Sequence, residues 1–171
     1  MLRSMEEAWT LFRIGPEGGF AKGQTNPGQQ FPVAAFETFA RSFVPRWLTT
    51  THLHVAAFLA LLERLGPSLV VCHSQGGEIV FDAHAKAPQN FASIIALEPS
   101  GYPEDGKVLT NTPTHILAGD FLDTADTWIT REAAWKALGT RYSGAARFGG
   151  GNTHMLMSDL NSAKVFEEAF G

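Results

Sequence analysis

Two kinds of apolar run alternate along this chain. "SLVVCH" (68–73), "SIIALE" (93–98) and "THILAG" (114–119) are short, nearly continuous apolar stretches of strand length. Between and around them apolar residues recur at three- and four-residue steps. Val55, Phe58, Leu59, Leu62 and Leu65 predict a helix stopped by Gly66 and Pro67. A second runs from about Gly76 to Ala87, closed by Pro88, and a third from Thr130 to Leu138, with Thr130 as N-cap and Glu132 in its first turn. "TRYSGAARF" reads as a weaker fourth strand and "NSAKVFEEAF" as a closing helix. Further upstream, Phe31, Phe36, Phe39, Ala40, Phe43 and Trp47 predict a short amphipathic helix with an aromatic stripe, preceded by a Gly- and Pro-rich loop from Gly15 to Gly28. Strands that read as continuous apolar runs and alternate with helices imply an α/β fold. Its sheet is mostly parallel, has about four strands and carries helices on both faces.

Length and composition narrow the reading. At 171 residues with 44% hydrophobic side chains, the chain is long enough for one domain with a sizeable core. The formal net charge is -4 and the 13 Lys and Arg residues are spread along the sequence, so no basic stripe is available for nucleic acid. Small neutral or weakly charged ligands remain. Cys72 is the single cysteine, which excludes an internal disulfide and leaves the compartment open. The start "MLRSMEEAWTLF" places acidic residues where a signal peptide needs an uninterrupted apolar run, and no stretch reaches the roughly 18 apolar residues of a membrane span. The chain therefore reads as soluble, with no address that fixes its localisation.

The chemistry concentrates where "VVCHSQGGEIV" passes from strand to helix at Ser74. A sharp strand-to-helix turn forces the residue at its apex into a strained backbone that only small neighbours permit. Gly76 lies two positions after Ser74, Gly77 gives further room, and Cys72 stands where G-x-S-x-G has its first glycine. Such a turn exposes the hydroxyl and aims the next helix's amides at any negative charge that develops there. A serine hydroxyl also needs a base. His154, in the glycine-rich "GGGNTHMLMSD" after the last strand, is the histidine delivered where this fold places one. His73 adjoins the serine and must point away. His52 and His54 in "THLH" have no further metal ligands in sight, and His84 and His115 read as structural. Two addresses compete for the acid. Glu98 ends the strand "IIALE", whereas Asp120 and Asp123 in "AGDFLD" end the next one, which position alone favours.

With these residues in order, the chain resembles the α/β-hydrolases, and in particular the bacterial esterase 713 type. "HSQGG" (73–77), "LEPSG" (97–101) and "GNTHMLMSDLNS" (151–162) carry the likeness. The resemblance implies Ser74 as nucleophile, His154 as base and Glu98, a glutamate followed by proline, as the orienting acid, with Asp120 and Asp123 as alternatives. It implies hydrolysis of a small-molecule carboxylic ester through an acyl-enzyme, with no cofactor and no metal. Phe31, Phe36 and Trp47 would line the apolar pocket. One departure stands out: the strands that come first in such hydrolases have no counterpart before Gly15. The chain therefore resembles the second half of the fold, a single partial domain over 1–171 in which about 15–50 is a cap-like segment. Gln75 then supplies the one oxyanion-hole amide that can be assigned. A catalytically silent fragment or binding module is accordingly the alternative reading. An exposed edge on the nucleophile's strand would invite pairing with another copy of the chain.

Overall fold

The computed structural model describes residues 3–45, 47 and 49–171. Strands β1 (Ser68–His73), β2 (Phe91–Leu97), β3 (Thr114–Ala118) and β4 (Arg141–Gly144) form one parallel sheet in the order β1-β2-β3-β4. The register explains why the runs read as continuous. Val70 lies beside Ile94, Cys72 beside Ala96 and Ala96 beside Ile116, and all of these are buried. The opposite face carries Ile95, Leu97 and Leu117, also buried. A strand covered on both sides has no polar alternation to show. β1 is the exception. It lies at an edge of the sheet, and Leu69 and Val71 on one face each remain 50% exposed.

The chain divides into two compact units, Met1–Trp47 with Ala118–Ala125 and Gly144–Gly171, and Leu48–Leu117 with Asp126–Ser143. The second unit holds the sheet together with α3 (Thr51–Leu65), α4 (Gly76–Lys86) and α5 (Asp126–Ala137), and α3 packs against α4. Two buried histidines in it lie against hydroxyl partners. His84 Nε2 lies 2.9 Å from Thr112 Oγ1, and burial pushes its imidazole below the usual range, so it is held neutral. His115 Nε2 lies 2.8 Å from Ser143 Oγ. Both histidines are buried, at 2% and 6% exposure.

The first unit contains α1 (Met5–Leu11), α2 (Phe36–Ala40) and α6 (Ser162–Phe170). Its core is Ala8, Trp9, Ile14, Phe31 and Phe36. Trp9 meets Phe36 edge to face, with ring centroids 5.0 Å apart, and donates its indole N–H to Gln24 O at 3.0 Å, which pins the Gly-rich loop. Among the described residues, no helix is long and apolar enough to cross a membrane.

Three local expectations are corrected. The third helix begins at Asp126, so Thr130 lies inside it and caps nothing. Burial of Trp128 and Trp135, seven residues apart, holds the β-branched "TWIT" in helix against its propensity. The aromatic stripe from Phe31 to Trp47 is not one helix but a 3₁₀ turn over Val33–Ala35 followed by five-residue α2. "TRYSGAARF" is strand only to Gly144, after which Ala145–Phe148 turns as 3₁₀. Helix α1 was not anticipated, although "SMEE" is a capping box. Glu7 N donates to Ser4 Oγ at 3.1 Å and Ser4 N to Glu7 Oε2 at 2.7 Å.

Candidate active site

Ser74 follows the last residue of β1 and stands two residues before α4, and its φ is +49°. A non-glycine residue in the left-handed region costs of order 1–3 kcal/mol and persists only when its surroundings hold it there. Here they do. Ser74 N–H donates to Leu97 O at 3.1 Å, and Ser74 O accepts from Gly77 N at 3.0 Å and Ser100 N at 2.8 Å. The glycine that the turn demands is Gly77. A Cβ there would lie 2.9 Å from Pro99 Cα, whereas one on Gly76 would make only ordinary contact with Cys72 Cβ at 3.5 Å. Gly101 completes the approach from the other side, since its Cβ would fall 2.7 Å from Glu78 Cα. The "HSQGG" and "LEPSG" segments are therefore two halves of one tight junction between the start of α4 and the loop after β2. Cys72 is buried and its thiol is pushed up to about 12 by that burial, so it stays protonated and offers no competing nucleophile.

Glu98 directly follows β2, the strand beside β1, and its side chain is wholly buried. Its backbone also lies at positive φ, +43°, with its N–H donating to Leu117 O at 2.9 Å. Pro99 fixes the exit of the chain, and the buried indole of Trp135 donates to Pro99 O at 3.2 Å. Ser74 and Glu98 thus stand at the carboxyl ends of neighbouring strands on strained, hydrogen-bonded backbone. Gln75 holds the N-cap position of α4, where the amides of the first turn point away from the helix.

His154 belongs to the first unit, where it is buried on a loop opened by Gly149, Gly150 and Gly151. All three glycines have positive φ. Its N–H donates to Phe12 O at 2.9 Å, and its ring stacks on Phe12 with centroids 5.7 Å apart and planes 26° apart. The loop around it is a polar lattice. Asp159 Oδ2 accepts from Thr153 N at 2.8 Å and Asn152 Nδ2 at 3.1 Å, and Asp159 Oδ1 accepts from Thr153 Oγ1 at 2.8 Å. Asn152 and Asn161 bond each other through both side-chain amides, at 2.7 and 3.0 Å, and Met155 N donates back to Thr153 Oγ1 at 3.1 Å. This accounts for "GNTHMLMSDLNS" physically: one buried carboxylate and two amides satisfy a loop that has no secondary structure of its own.

Removing that carboxylate leaves donors without an acceptor. Asp159→Asn is expected to cost about 2–4 kcal/mol of folding stability by urea denaturation, because three donors converge on two oxygens, one of which becomes an NH₂. A change below about 0.5 kcal/mol would show that the lattice does not hold the loop.

The remaining sequence-derived positions separate clearly. Asp120 lies in the first unit, and its carboxylate accepts the Gly151 N–H. Its own N–H donates to Asn152 O at 2.7 Å and its carbonyl accepts from the buried Arg13 Nε at 2.7 Å, so Asp120 braces the His154 loop. Asp123 is exposed on the 3₁₀ turn Leu122–Thr124. Phe31 and Phe36 are core residues, 3% and 1% exposed, whereas Trp47 is 71% exposed, so these three do not share one environment. His52 and His54 are exposed at the start of α3, and His54 Nε2 lies 3.4 Å from Thr50 Oγ1. Phe12 and Arg13 carried no signal in the sequence, and Asp159 stood in "GNTHMLMSDLNS" with no role assigned to it, because their partners lie in distant or irregular segments.

A parallel sheet with a left-handed serine between its first strand and the following helix, and an acidic residue ending the adjacent strand, is a partial α/β-hydrolase fold. The chain is similar to a bacterial esterase solved at atomic resolution, with a TM-score of 0.87 and 28% identity, covering 98% of this chain and 56% of that one. It is 29% identical over 101 residues to lipase LipV of Mycobacterium tuberculosis, covering 57% of this chain and 38% of LipV. Over 51 residues it is 43% identical to the probable secreted lipase phiG of a fungal species, covering 30% of this chain and 14% of that protein. It thus spans only part of the length of each of these relatives. No family model matches the chain.

Proposed function

We propose that this chain is a carboxylic ester hydrolase in which Ser74, His154 and Glu98 work as a nucleophile, a base and an orienting acid. The observation that carries this reading is the backbone of Ser74, held at φ +49° where β1 turns into α4. Strain of this kind clusters where a side chain must be held for chemistry, and here it presents a hydroxyl at the head of a helix.

In the reaction, Ser74 Oγ attacks the ester carbonyl while His154 takes the hydroxyl proton. The resulting oxyanion is stabilised by the Gln75 N–H and the positive end of α4. Collapse of the tetrahedral species breaks the bond to the alcohol, which leaves with the proton from His154. Water then attacks the acyl-Ser74 ester with His154 again as base, releasing the carboxylic acid and restoring the serine. Glu98 is preferred to the aspartates as the group that orients the imidazole. It is a wholly buried carboxylate beside the serine strand, whereas Asp120 already braces Gly151 and Asp123 faces solvent.

A fluorophosphonate probe is expected to label the native chain at Ser74, with labelling lost in Ser74→Ala. An unlabelled native protein would overturn the reading. A second reading, a silent binding module, is favoured by one fact: among the described residues Gln75 is the one oxyanion donor assigned. Loss of one such donor costs about 10²–10³ in rate. Ester turnover that disappears in His154→Ala would exclude that module.

A further inference from the structure

We propose that Phe12, Phe39 and Phe43 form the subsite that takes the apolar chain of the ester; this rests on the ester-hydrolase reading of His154. The three rings form a closed triangle. Phe12 and Phe43 meet edge to face at 5.8 Å, Phe39 and Phe43 at 5.0 Å, and Phe12 and Phe39 lie 6.1 Å apart. One corner abuts the predicted base, since Phe12 stacks on the His154 ring. The rear of the triangle rests on the core, where Phe39 lies 5.4 Å from Phe31 and 6.5 Å from Phe36.

Exposure grades across this cluster in one direction. Phe31 and Phe36 are closed off, Phe12 and Phe39 are half-buried, and Phe43, just beyond the end of α2, is 37% exposed. Phe31 and Phe36 therefore serve as the floor, and the accessible wall consists of the other three rings. Aromatic rings held by one another yet open to solvent beside a buried imidazole offer a rigid apolar surface at little ordering cost. The group they fit is an unbranched alkyl chain, which either the acyl or the alcohol side of an ester supplies. Each methylene that such a surface buries raises binding by about fourfold, so a shelf that takes several of them governs chain-length selectivity.

The test compares Phe43→Ala and Phe43→Leu with the native chain in two arms, 4-nitrophenyl hexanoate against acetate, and hexyl acetate against ethyl acetate. In one arm the long-to-short ratio of kcat/KM is expected to fall about tenfold in Phe43→Ala and to be largely kept in Phe43→Leu. The arm that responds identifies the side of the ester bound. Ratios within twofold of native in both arms, with turnover intact, would overturn the subsite and leave the hydrolase reading standing. If the native chain turns over no ester, binding decides: hexyl acetate is titrated into Ser74→Ala with and without Phe43→Ala and followed by ligand-observed NMR. A tenfold weaker Kd in the double variant supports the subsite even though the hydrolase reading has failed. Equal affinities, or no binding to Ser74→Ala, overturn the subsite.

Discussion

The double variant Ser74→Ala/His154→Ala is expected to hydrolyse a 4-nitrophenyl ester no more slowly than either single variant, each lying about 10⁴–10⁶-fold below the native chain in kcat. Groups that act as one device are not additive. Once the hydroxyl is gone the imidazole has no proton to take, and once the imidazole is gone the hydroxyl is a weak nucleophile. Two residues that aided catalysis separately would instead multiply their losses, and a His154 with only a loop role would cost less than about threefold by itself. The comparison is informative because the two side chains belong to different compact units, and each has its own local reason to be placed as it is. Ser74 is held by Leu97 O, Gly77 N and Ser100 N, and His154 by Phe12 and the Asp159 lattice. Stability of the variants is read in parallel by thermal melting. His154 is buried against Phe12, so its loss has a packing cost that rate alone would not distinguish from a catalytic one.

The fold was legible wherever burial was two-sided. β2 and β3 have nearly uninterrupted apolar text because both of their faces are covered, whereas β1 has it although Leu69 and Val71 on one face stay half exposed. The turn at position 74 was legible because an apolar strand-length run there gives way to glycines and then to a helical period. The text misled where tertiary burial overrides local preference, as in the first turn of α5, and where one aromatic period is shared by residues with different neighbours. Phe36 and Phe43 are seven positions apart, yet one is sealed by Trp9 and the other opens to solvent, because α2 stops at Ala40. The support of the His154 loop was not legible at all. Asp159, Asn152, Asn161 and Arg13 find their partners through an irregular loop and across 107 residues of sequence, and such bonds leave no period to read. The choice between Glu98 and Asp120 was legible only in part. Both follow strands, position alone favours the aspartate and the resemblance the glutamate, and the surroundings of each add a physical reason to prefer Glu98.

That preference is measurable. Glu98→Gln is expected to lower kcat by about 10³–10⁴, with KM within a few fold of native, while Asp120→Asn lowers kcat by less than about tenfold. The amide in Glu98→Gln has nearly the volume of the carboxylate, so the junction of Pro99 with Gly77 and Trp135 is preserved. What changes is electrostatic: a carboxylate stabilises the imidazolium formed when Ser74 gives up its proton, whereas an amide cannot and also permits the wrong ring tautomer. In Asp120→Asn the charge-assisted bond from Gly151 N–H becomes a neutral one, and about 1 kcal/mol of stability should be lost with little change in chemistry. The opposite ranking, a crippled Asp120→Asn beside a nearly native Glu98→Gln, would transfer the acid to the strand after β2 and make Glu98 a structural group. Asp123→Asn serves as the solvent-exposed reference, because a carboxylate facing water has no such hold on an imidazole.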